Sequence, residues 1–243
     1  MKCPRCGAIN EPTHKFCSSC GFGLHPGASN PHMAPATAKL IALNPDGSEG
    51  VGIPLHGKTT VGRANGGLFA QDMFLSPRHA SFVPVDDTVV VHDEQSLNGV
   101  YRRLPADQLF PLEQGQMFRI GQELIQFEQV IASTPDDQGV EHMGAPIEGY
   151  VGRIAMVLGR GTLGTAFPIP ETGLNLGRER GEVLFADDGY VSGLHCRLSF
   201  DAGQVHLTDL GSSNGTFVRI DGQQRCRDGE ILLMGQQLFR IAV

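Results

Sequence analysis

Aromatic residues and long hydrophobic runs are scarce in this sequence of 243 residues. It contains no Trp and only 3 Tyr, so few side chains are available for the aromatic stacking by which single-stranded nucleic acid is held. No stretch approaches the roughly 20 apolar residues that a membrane-spanning helix requires. The N-terminus also lacks the apolar segment of a secretion signal. These shortages predict a protein without membrane insertion.

Basic residues are also few, and they are unevenly distributed. The chain has 19 Lys and Arg against 26 Asp and Glu, a formal net charge of -7. Residues 1–38 carry a net +2, so the remainder is strongly acidic. An acidic body disfavours broad binding to nucleic acid or to anionic membranes. A small pocket in which one Arg binds one phosphate is still compatible with this charge.

A sustained 3.6-residue period, long enough for a core helix, is missing as well. The apolar residues instead form short alternating runs, such as Thr88–Val91, Gln204–Leu210 and Leu238–Val243. Turn signals separate the runs, among them Asn98-Gly99 and Asn214-Gly215. Many short strands joined by tight turns are typical of antiparallel sandwiches or barrels. The sequence therefore predicts an all-β fold.

The second half of the chain repeats the landmarks of the first half at offsets of 114 to 116 residues. Chance does not easily keep so many landmarks in the same order and register, so a duplicated domain of roughly 100 residues is the direct interpretation. The matching pairs are Gly62-Arg63 and Gly177-Arg178, Ser76-x-x-His79 and Ser192-x-x-His195, Asp93 and Asp209, Asn98-Gly99 and Asn214-Gly215, Gly115 and Gly229, and Gly121 and Gly235.

A Gly-Arg, a Ser-x-x-His and an Asn-Gly after a Ser-rich turn, in this order, resemble the signature of forkhead-associated (FHA) domains. The resemblance covers residues 40–131 and 150–243, and it implies two eleven-stranded β-sandwiches whose loops at one end bind phosphothreonine peptides. A phosphate dianion favours a guanidinium group and hydroxyl donors, which these loops supply. The resemblance assigns phosphate contacts to Arg178, Ser192 and Ser213, a further contact to Gly193, and the peptide main chain to Asn214.

The first copy retains part of this set. Arg63, Ser76 and Asn98 are the corresponding candidates for phosphopeptide binding, but Leu97 stands where the second copy has Ser213. Leu has no donor for a phosphate oxygen, so the first site is expected to be weaker. The resemblance makes His79 and His195 structural, since they would tie neighbouring loops together. Asp93 and Asp209 are expected to brace turns.

Four of the six cysteines form two CxxC pairs near the N-terminus, Cys3 with Cys6 and Cys17 with Cys20. Two such pairs create a closed all-thiolate site that suits one structural Zn²⁺, with iron as a lesser alternative. Two disulfides or a redox CxxC are the other interpretations, but they require an oxidising compartment or a βαβ context. The segment resembles short zinc ribbons, and its thiolates point to the reducing cytoplasm. Of the two other cysteines, Cys196 is expected in a strand and Cys226 in a loop.

Together these features predict a zinc ribbon at 1–21, a flexible linker at 22–38, FHA-like domain 1 at 39–131, a linker at 132–147 and FHA-like domain 2 at 148–243. The predicted function is a non-enzymatic phosphothreonine-binding adaptor or scaffold in Ser/Thr kinase signalling, whose partners are threonine-phosphorylated proteins, including a kinase or its substrates. The main alternative is a structural interaction module in which one or both pockets no longer read phosphate.

Two further alternatives are less well supported. A hydrolase could use Ser192, His195 and Asp209 as a triad, but the sequence lacks a G-x-S-x-G elbow and an α/β pattern. A zinc-dependent nucleic-acid binder is disfavoured by the acidic body.

Overall fold

The computed structural model describes residues 1–3, 9–15, 17, 24–25, 38–131, 134–141, 143–159 and 161–243. Within these residues the regular elements are β-strands and two single-turn 3-10 helices, η1 (Arg63–Asn65) and η2 (Gly67–Phe69), which confirms the all-β fold class. The strands are β1 (Ala38–Leu43), β2 (Glu49–Leu55), β3 (Thr59–Val61), β4 (Ala80–Val85), β5 (Thr88–Asp93), β6 (Val100–Arg103), β7 (Phe110–Pro111), β8 (Met117–Ile120), β9 (Glu123–Gln129), β10 (Tyr150–Gly159), β11 (Thr162–Pro170), β12 (Leu174–Gly177), β13 (Val183–Leu184), β14 (Cys196–Asp201), β15 (Gln204–Asp209), β16 (Thr216–Arg219), β17 (Gln223–Arg227), β18 (Ile231–Met234) and β19 (Gln237–Ala242).

The strands belong to two compact units that interleave along the chain. Unit 1 comprises Met1–Val100 and Ile220–Val243, and unit 2 comprises Tyr101–Arg219. In unit 1, one sheet has the strand order β18-β19-β1-β2 and the other has the order β17-β5-β4-β3. In unit 2 the corresponding orders are β11-β10-β9-β8-β16-β6 and β13-β12-β14-β15-β7. Each unit is therefore a two-sheet sandwich.

Alternating side chains bury one face of several strands. In β5, Val89 and Val91 are buried, and in β15 the equivalent positions Val205 and Leu207 are buried. Each unit has its own apolar cluster, in agreement with one core per compact unit. The largest fully buried side chains of these cores include Phe82, Phe239, Leu40 and Leu55 in unit 1, and Phe118, Phe127, Ile154 and Leu176 in unit 2.

The C-terminal strands of the two sequence repeats are exchanged between the units. β19 pairs antiparallel with β1, and β17 pairs with β5, so residues from the end of the second repeat complete unit 1. In unit 2, β9 pairs with β10 and β7 pairs with β15, so the end of the first repeat completes the second sandwich. The predicted sequence domains, 39–131 and 148–243, thus differ from the compact units.

The duplication of the domain makes this exchange of C-terminal strands possible. Because both repeats carry the same alternation and the same turns, either C-terminal segment can pair with either sandwich through equivalent main-chain hydrogen bonds. The segment 132–147 was expected to link two domains. In the structure it follows β9 and precedes β10, which are paired neighbours within unit 2.

The cysteines outside the N-terminal cluster are both buried strand residues. Cys196 in β14 is fully buried, as expected, and burial raises the pKa of its thiol far above the usual value. Cys226 was expected in a loop, but it lies in β17 opposite Val89 and belongs to the core of unit 1. The pairing with β5 explains the difference, because the short polar run around Cys226 forms a strand through main-chain hydrogen bonds to a segment far away in the chain.

Candidate functional site

A buried histidine ties the candidate loops together in each unit. In unit 2, Nδ1 of His195 accepts a hydrogen bond from the Ser192 backbone N–H at 3.0 Å, and Nε2 lies 3.2 Å from the Gly215 carbonyl oxygen. Nδ1 is therefore the acceptor and Nε2–H the donor. Burial lowers the pKa of His195, which favours this neutral form. The ring holds the Ser192 loop against the Asn-Gly turn.

The same arrangement recurs in unit 1. Nδ1 of His79 accepts from the Ser76 backbone N–H at 3.1 Å, and Nε2 lies 3.0 Å from the Gly99 carbonyl oxygen. Both histidines are fully buried. Their hydrogen bonds agree with the bracing role expected for them.

A buried aspartate shapes the Ser-rich turn that follows β15. Asp209 accepts hydrogen bonds at 2.6 Å from the hydroxyls of Ser212 and Thr216, and its carboxylate also accepts the Ser212 backbone N–H at 2.9 Å. Burial raises the pKa of Asp209, but these hydrogen bonds outweigh burial and hold the pKa below its usual value. In unit 1, Asp93 likewise accepts the Ser96 backbone N–H at 2.9 Å. Each carboxylate anchors a turn whose tip is left exposed.

The serines of the two Ser-x-x-His motifs face these tips. The Oγ atom of Ser192 accepts the Ser213 backbone N–H at 3.0 Å, and the Oγ atom of Ser76 accepts the Leu97 backbone N–H at 3.0 Å. A hydroxyl that accepts in this way keeps its own O–H for an external acceptor. Ser213 is exposed at the tip of its turn, whereas Leu97 is 57% exposed and offers only an apolar surface.

The asparagine of each Asn-Gly turn uses one of its two side-chain N–H groups in a hydrogen bond within the protein. The Nδ2 atom of Asn214 donates to the Tyr190 carbonyl oxygen at 2.8 Å, and that of Asn98 donates to the Phe74 carbonyl oxygen at 2.8 Å. This bond orients each exposed side-chain amide. Its second N–H and its carbonyl oxygen can pair with the main chain of an extended peptide.

The glycine of each Gly-Arg pair allows two loops to approach closely. A Cβ atom on Gly177 would lie 2.5 Å from the Gly193 carbonyl oxygen, and one on Gly62 would lie 2.7 Å from the Ser76 carbonyl oxygen. The arginine that follows each glycine connects the same two loops by a main-chain hydrogen bond. The Arg178 backbone N–H donates to the Ser192 carbonyl oxygen at 2.9 Å, and the Arg63 backbone N–H donates to the Ser76 carbonyl oxygen at 3.0 Å. Each Arg is thereby fixed next to its serine loop.

The two arginine side chains have different surroundings. In unit 2, Nε and Nη2 of Arg178 contact Oε1 of Glu179 at 3.3 and 2.7 Å. In unit 1, Nη1 of Arg63 lies 3.7 Å from the Met73 sulfur, a weak acceptor, and Ala64 follows Arg63 in the sequence. Gly193 lies beside the Glu179 carboxylate, with its carbonyl oxygen accepting the Arg180 backbone N–H at 2.8 Å. Glu179 lies outside the repeated sequence motifs, since Ala64 stands at the equivalent position of the first copy.

A second pair of equivalent aspartates, Asp72 and Asp188, supports the candidate loops and was not predicted from the sequence. Asp188 accepts the Gln122 backbone N–H at 2.6 Å and the Tyr190 backbone N–H at 2.8 Å. In unit 1, Asp72 accepts the Gln236 backbone N–H at 2.9 Å and the Phe74 backbone N–H at 2.9 Å. The shared offset of 116 residues was the available signal. Each aspartate connects a candidate loop to a turn from the exchanged C-terminal segment of its unit.

Ser192, His195 and Asp209 do not form a hydrolase triad. The ring nitrogens of His195 face the Ser192 backbone N–H and the Gly215 carbonyl oxygen, not the Ser192 hydroxyl. Asp209 holds the Ser212 and Thr216 hydroxyls. A triad requires the base to contact the nucleophile's hydroxyl.

The N-terminal cysteine cluster is described in part. Cys3 and Cys17 are buried, and the Nδ2 atom of Asn10 donates to the Cys17 sulfur at 3.4 Å. Lys2 and Ile9 form an antiparallel bridge on either side of the first CxxC pair. An N–H donor to sulfur suits a metal-bound thiolate. Cys6 and Cys20 lie outside the described residues.

Comparisons with known proteins agree with this geometry. The FHA domain model matches residues 59–121 and 174–235, and the zinc-ribbon domain model matches residues 2–24. The chain is also similar to the oxoglutarate dehydrogenase inhibitor of Corynebacterium glutamicum, with 26% identity over 116 residues, which cover 47% of this chain and 74% of that protein.

Within the described part of the chain, no helix has the length and apolar character needed to cross a membrane. The paired motifs, the all-β sandwiches that carry them and the two matches together identify the chain as a member of the FHA domain family, whose domains are phosphopeptide-binding modules for protein interaction, with two such domains behind a zinc-ribbon domain.

Proposed function

We propose that this protein is a cytoplasmic adaptor that binds phosphothreonine peptides in Ser/Thr kinase signalling. Its partners are threonine-phosphorylated proteins, including a kinase or that kinase's substrates. The observation that carries the proposal is the hydrogen bonding of Ser192, whose Oγ atom accepts the Ser213 backbone N–H and so keeps its own O–H for another acceptor, while its carbonyl oxygen accepts the Arg178 backbone N–H. A phosphate dianion at this place has a guanidinium group and hydroxyl donors within one rigid loop cluster.

The proposed site of unit 2 consists of Arg178, Ser192, Gly193 and Ser213 for the phosphate and Asn214 for the peptide main chain. The proposed site of unit 1 consists of Arg63, Ser76 and Asn98. The similarity to a protein named as an inhibitor of oxoglutarate dehydrogenase supports a regulatory protein that acts on other proteins. The N-terminal domain would hold one structural Zn²⁺ through Cys3, Cys6, Cys17 and Cys20, which stabilises a piece too small for an apolar core.

A structural interaction module is the second candidate, and Leu97 favours it for unit 1 only. An exposed Leu in the place of a phosphate donor suits an apolar contact rather than an anion. Unit 1 would then bind a partner without reading phosphate, while unit 2 reads phosphothreonine.

The test is a binding titration of the intact chain with a degenerate phosphothreonine peptide library, followed by fluorescence anisotropy. The intact chain is required because fragments cut at 131 or 148 would lose the exchanged strands. Arg178→Ala should remove most of the binding, and Arg63→Ala should remove less. The unphosphorylated library is the control, and equal binding of both libraries would contradict the proposal. Unchanged binding by the Arg178→Ala, Arg63→Ala double variant would contradict it as well.

A further inference from the structure

The guanidinium of Arg178 already holds a carboxylate where the proposed function requires a phosphate. Glu179 contacts both Nε and Nη2 of Arg178, the pair of donors with which Arg binds an anion in a bidentate manner. The two side chains are 37% and 62% exposed. This ion pair therefore faces solvent, and an incoming anion can reach it.

The carboxylate of Glu179 also lies over the serine loop. A Cβ atom on Gly193 would be 3.3 Å from Oε2 of Glu179, so the missing side chain at position 193 leaves room for this carboxylate. The same backbone carries Ser192, the proposed hydroxyl donor. The negative group thus occupies the space between the Arg and the Ser-Gly loop.

Unit 1 provides a natural contrast at both positions. Ala64 follows Arg63 where Glu179 follows Arg178, and Pro77 follows Ser76 where Gly193 follows Ser192. The combination of an acidic side chain and a glycine that makes room for it is therefore specific to unit 2. The surrounding loops make the same hydrogen bonds in both units. The two units therefore differ at the proposed anion site and not in the loops that frame it.

We infer that Glu179 is an internal competitor for the phosphate-binding side chain of unit 2, and that it sets the affinity and selectivity of that site. This inference rests on the proposed function. A phosphothreonine must displace the carboxylate from Arg178 and is repelled by it while it approaches. Ligands with additional contacts along Asn214 and the neighbouring loops overcome this cost more readily than phosphate alone, so Glu179 raises the demand for a matching peptide.

The experiment isolates each site in the intact chain. In an Arg63→Ala background, which reports on unit 2, Glu179→Gln should tighten binding of the phosphothreonine peptide library about two- to fivefold, the range expected for release of an exposed ion pair. The gain should shrink as salt is raised, because exposed charges are screened. Glu171→Gln is the matched control. It removes one charge at the other end of β12 and should leave the affinity unchanged.

The reciprocal variant tests the same idea in unit 1. In an Arg178→Ala background, which reports on unit 1, Ala64→Glu should weaken any phosphothreonine binding by a similar factor. Equal or weaker binding by Glu179→Gln than by its parent would overturn the inference and leave the proposed function intact. Absence of phosphothreonine binding by the Arg63→Ala parent would instead refute the proposed function for unit 2, and the role of Glu179 with it. The two failures are therefore distinguishable.

Discussion

At the residue scale, two differences between unit 1 and unit 2 have opposite effects on the expected affinity for phosphothreonine. Unit 2 has the hydroxyl of Ser213, which unit 1 replaces with Leu97, but unit 2 also carries Glu179 on its Arg. A hydrogen bond to a charged group contributes about 1.5–3 kcal/mol, whereas an exposed ion pair contributes about 0.2–1 kcal/mol. The missing hydroxyl outweighs the competing carboxylate, so we expect unit 2 to bind phosphothreonine more tightly.

This ranking predicts the effect of two exchanges at one position. In the Arg178→Ala background, Leu97→Ser should strengthen binding by unit 1, because it adds a donor at the tip of the turn. In the Arg63→Ala background, Ser213→Leu should weaken binding by unit 2 about tenfold or more. Calorimetry with one phosphothreonine peptide measures both. Tighter binding by the unmodified unit 1 site than by unit 2 would show the ranking to be wrong.

The buried state of His195 predicts how stability depends on pH. Burial lowers its pKa, so the folded chain keeps the ring neutral while the unfolded chain takes up a proton below about pH 6.5. The free energy of unfolding should therefore fall as the pH drops from about 6.5 toward the lower pKa of the folded state. Urea unfolding at pH 7.5, 6.5 and 5.5 measures this loss.

His195→Gln is the comparison variant for this measurement. It should be less stable at pH 7.5, because the Ser192 N–H or the Gly215 carbonyl loses its partner at a cost of about 1–3 kcal/mol. Its stability should depend less on pH between 6.5 and 5.5 than that of the unmodified chain. The same pH dependence in both proteins would contradict the assignment to His195.

At the scale of elements, the candidate loops are positioned by hydrogen bonds from two equivalent aspartates. Asp188 joins the Tyr190 loop to the β8–β9 turn at Gln122, and Asp72 does the same with the β18–β19 turn at Gln236. The carbonyl oxygens of Tyr190 and Phe74 then orient the two asparagines. The exchanged strands thus complete the hydrophobic cores and also support the loops of the proposed binding sites.

The N-terminal zinc ribbon is an element whose folding should depend on its metal. We expect about one Zn²⁺ per chain, measured by elemental analysis of reduced protein, and its loss after Cys17→Ser. Chelation should unfold the N-terminal segment, because its folding depends on the metal. The sandwiches should stay folded, because each core is built from its own apolar cluster. Cys226→Ala is the control and should keep the metal. Reduced protein without zinc or iron would contradict the assignment.

At the scale of the whole molecule, the exchange of segments can be tested by cross-strand disulfides. Thr88 lies directly opposite Arg227 in the pairing of β5 with β17, a separation that suits a disulfide after small adjustment. Thr88→Cys with Arg227→Cys should therefore form an intramolecular disulfide on mild oxidation. Mass spectrometry of the monomer band after proteolysis identifies the bond.

The matched pair is Thr88→Cys with Glu113→Cys. Glu113 precedes Arg227 by the offset of 114 residues that relates the ends of the repeats, so it would oppose Thr88 if each repeat closed on itself. In the exchanged arrangement this pair should stay reduced within the monomer. A disulfide in the Glu113 pair together with none in the Arg227 pair would show that the repeats fold without exchange.

Much of the candidate site could be predicted from sequence because its signals are local. A Gly-Arg where two loops approach, a Ser three residues before a His, and an Asn-Gly after a Ser-rich turn each require particular residue types, and their repetition makes them visible. The pairing of Arg178 with Glu179 was less visible, since adjacent residues in a sequence show nothing about where their side chains point. The support by Asp72 and Asp188 was also missed, because their partners lie far away in the chain.

The sequence by itself determined that the chain is all-β, that it contains two copies of one domain, and which residue types line their loops. Alternating apolar residues and tight turns act over a few positions, so they need no tertiary information. Only the tertiary structure decided which C-terminal strands complete which sandwich. The two repeats present equivalent strand edges and equivalent turns, so local preference is the same for either pairing, and the choice depends on the connections and packing of the whole chain.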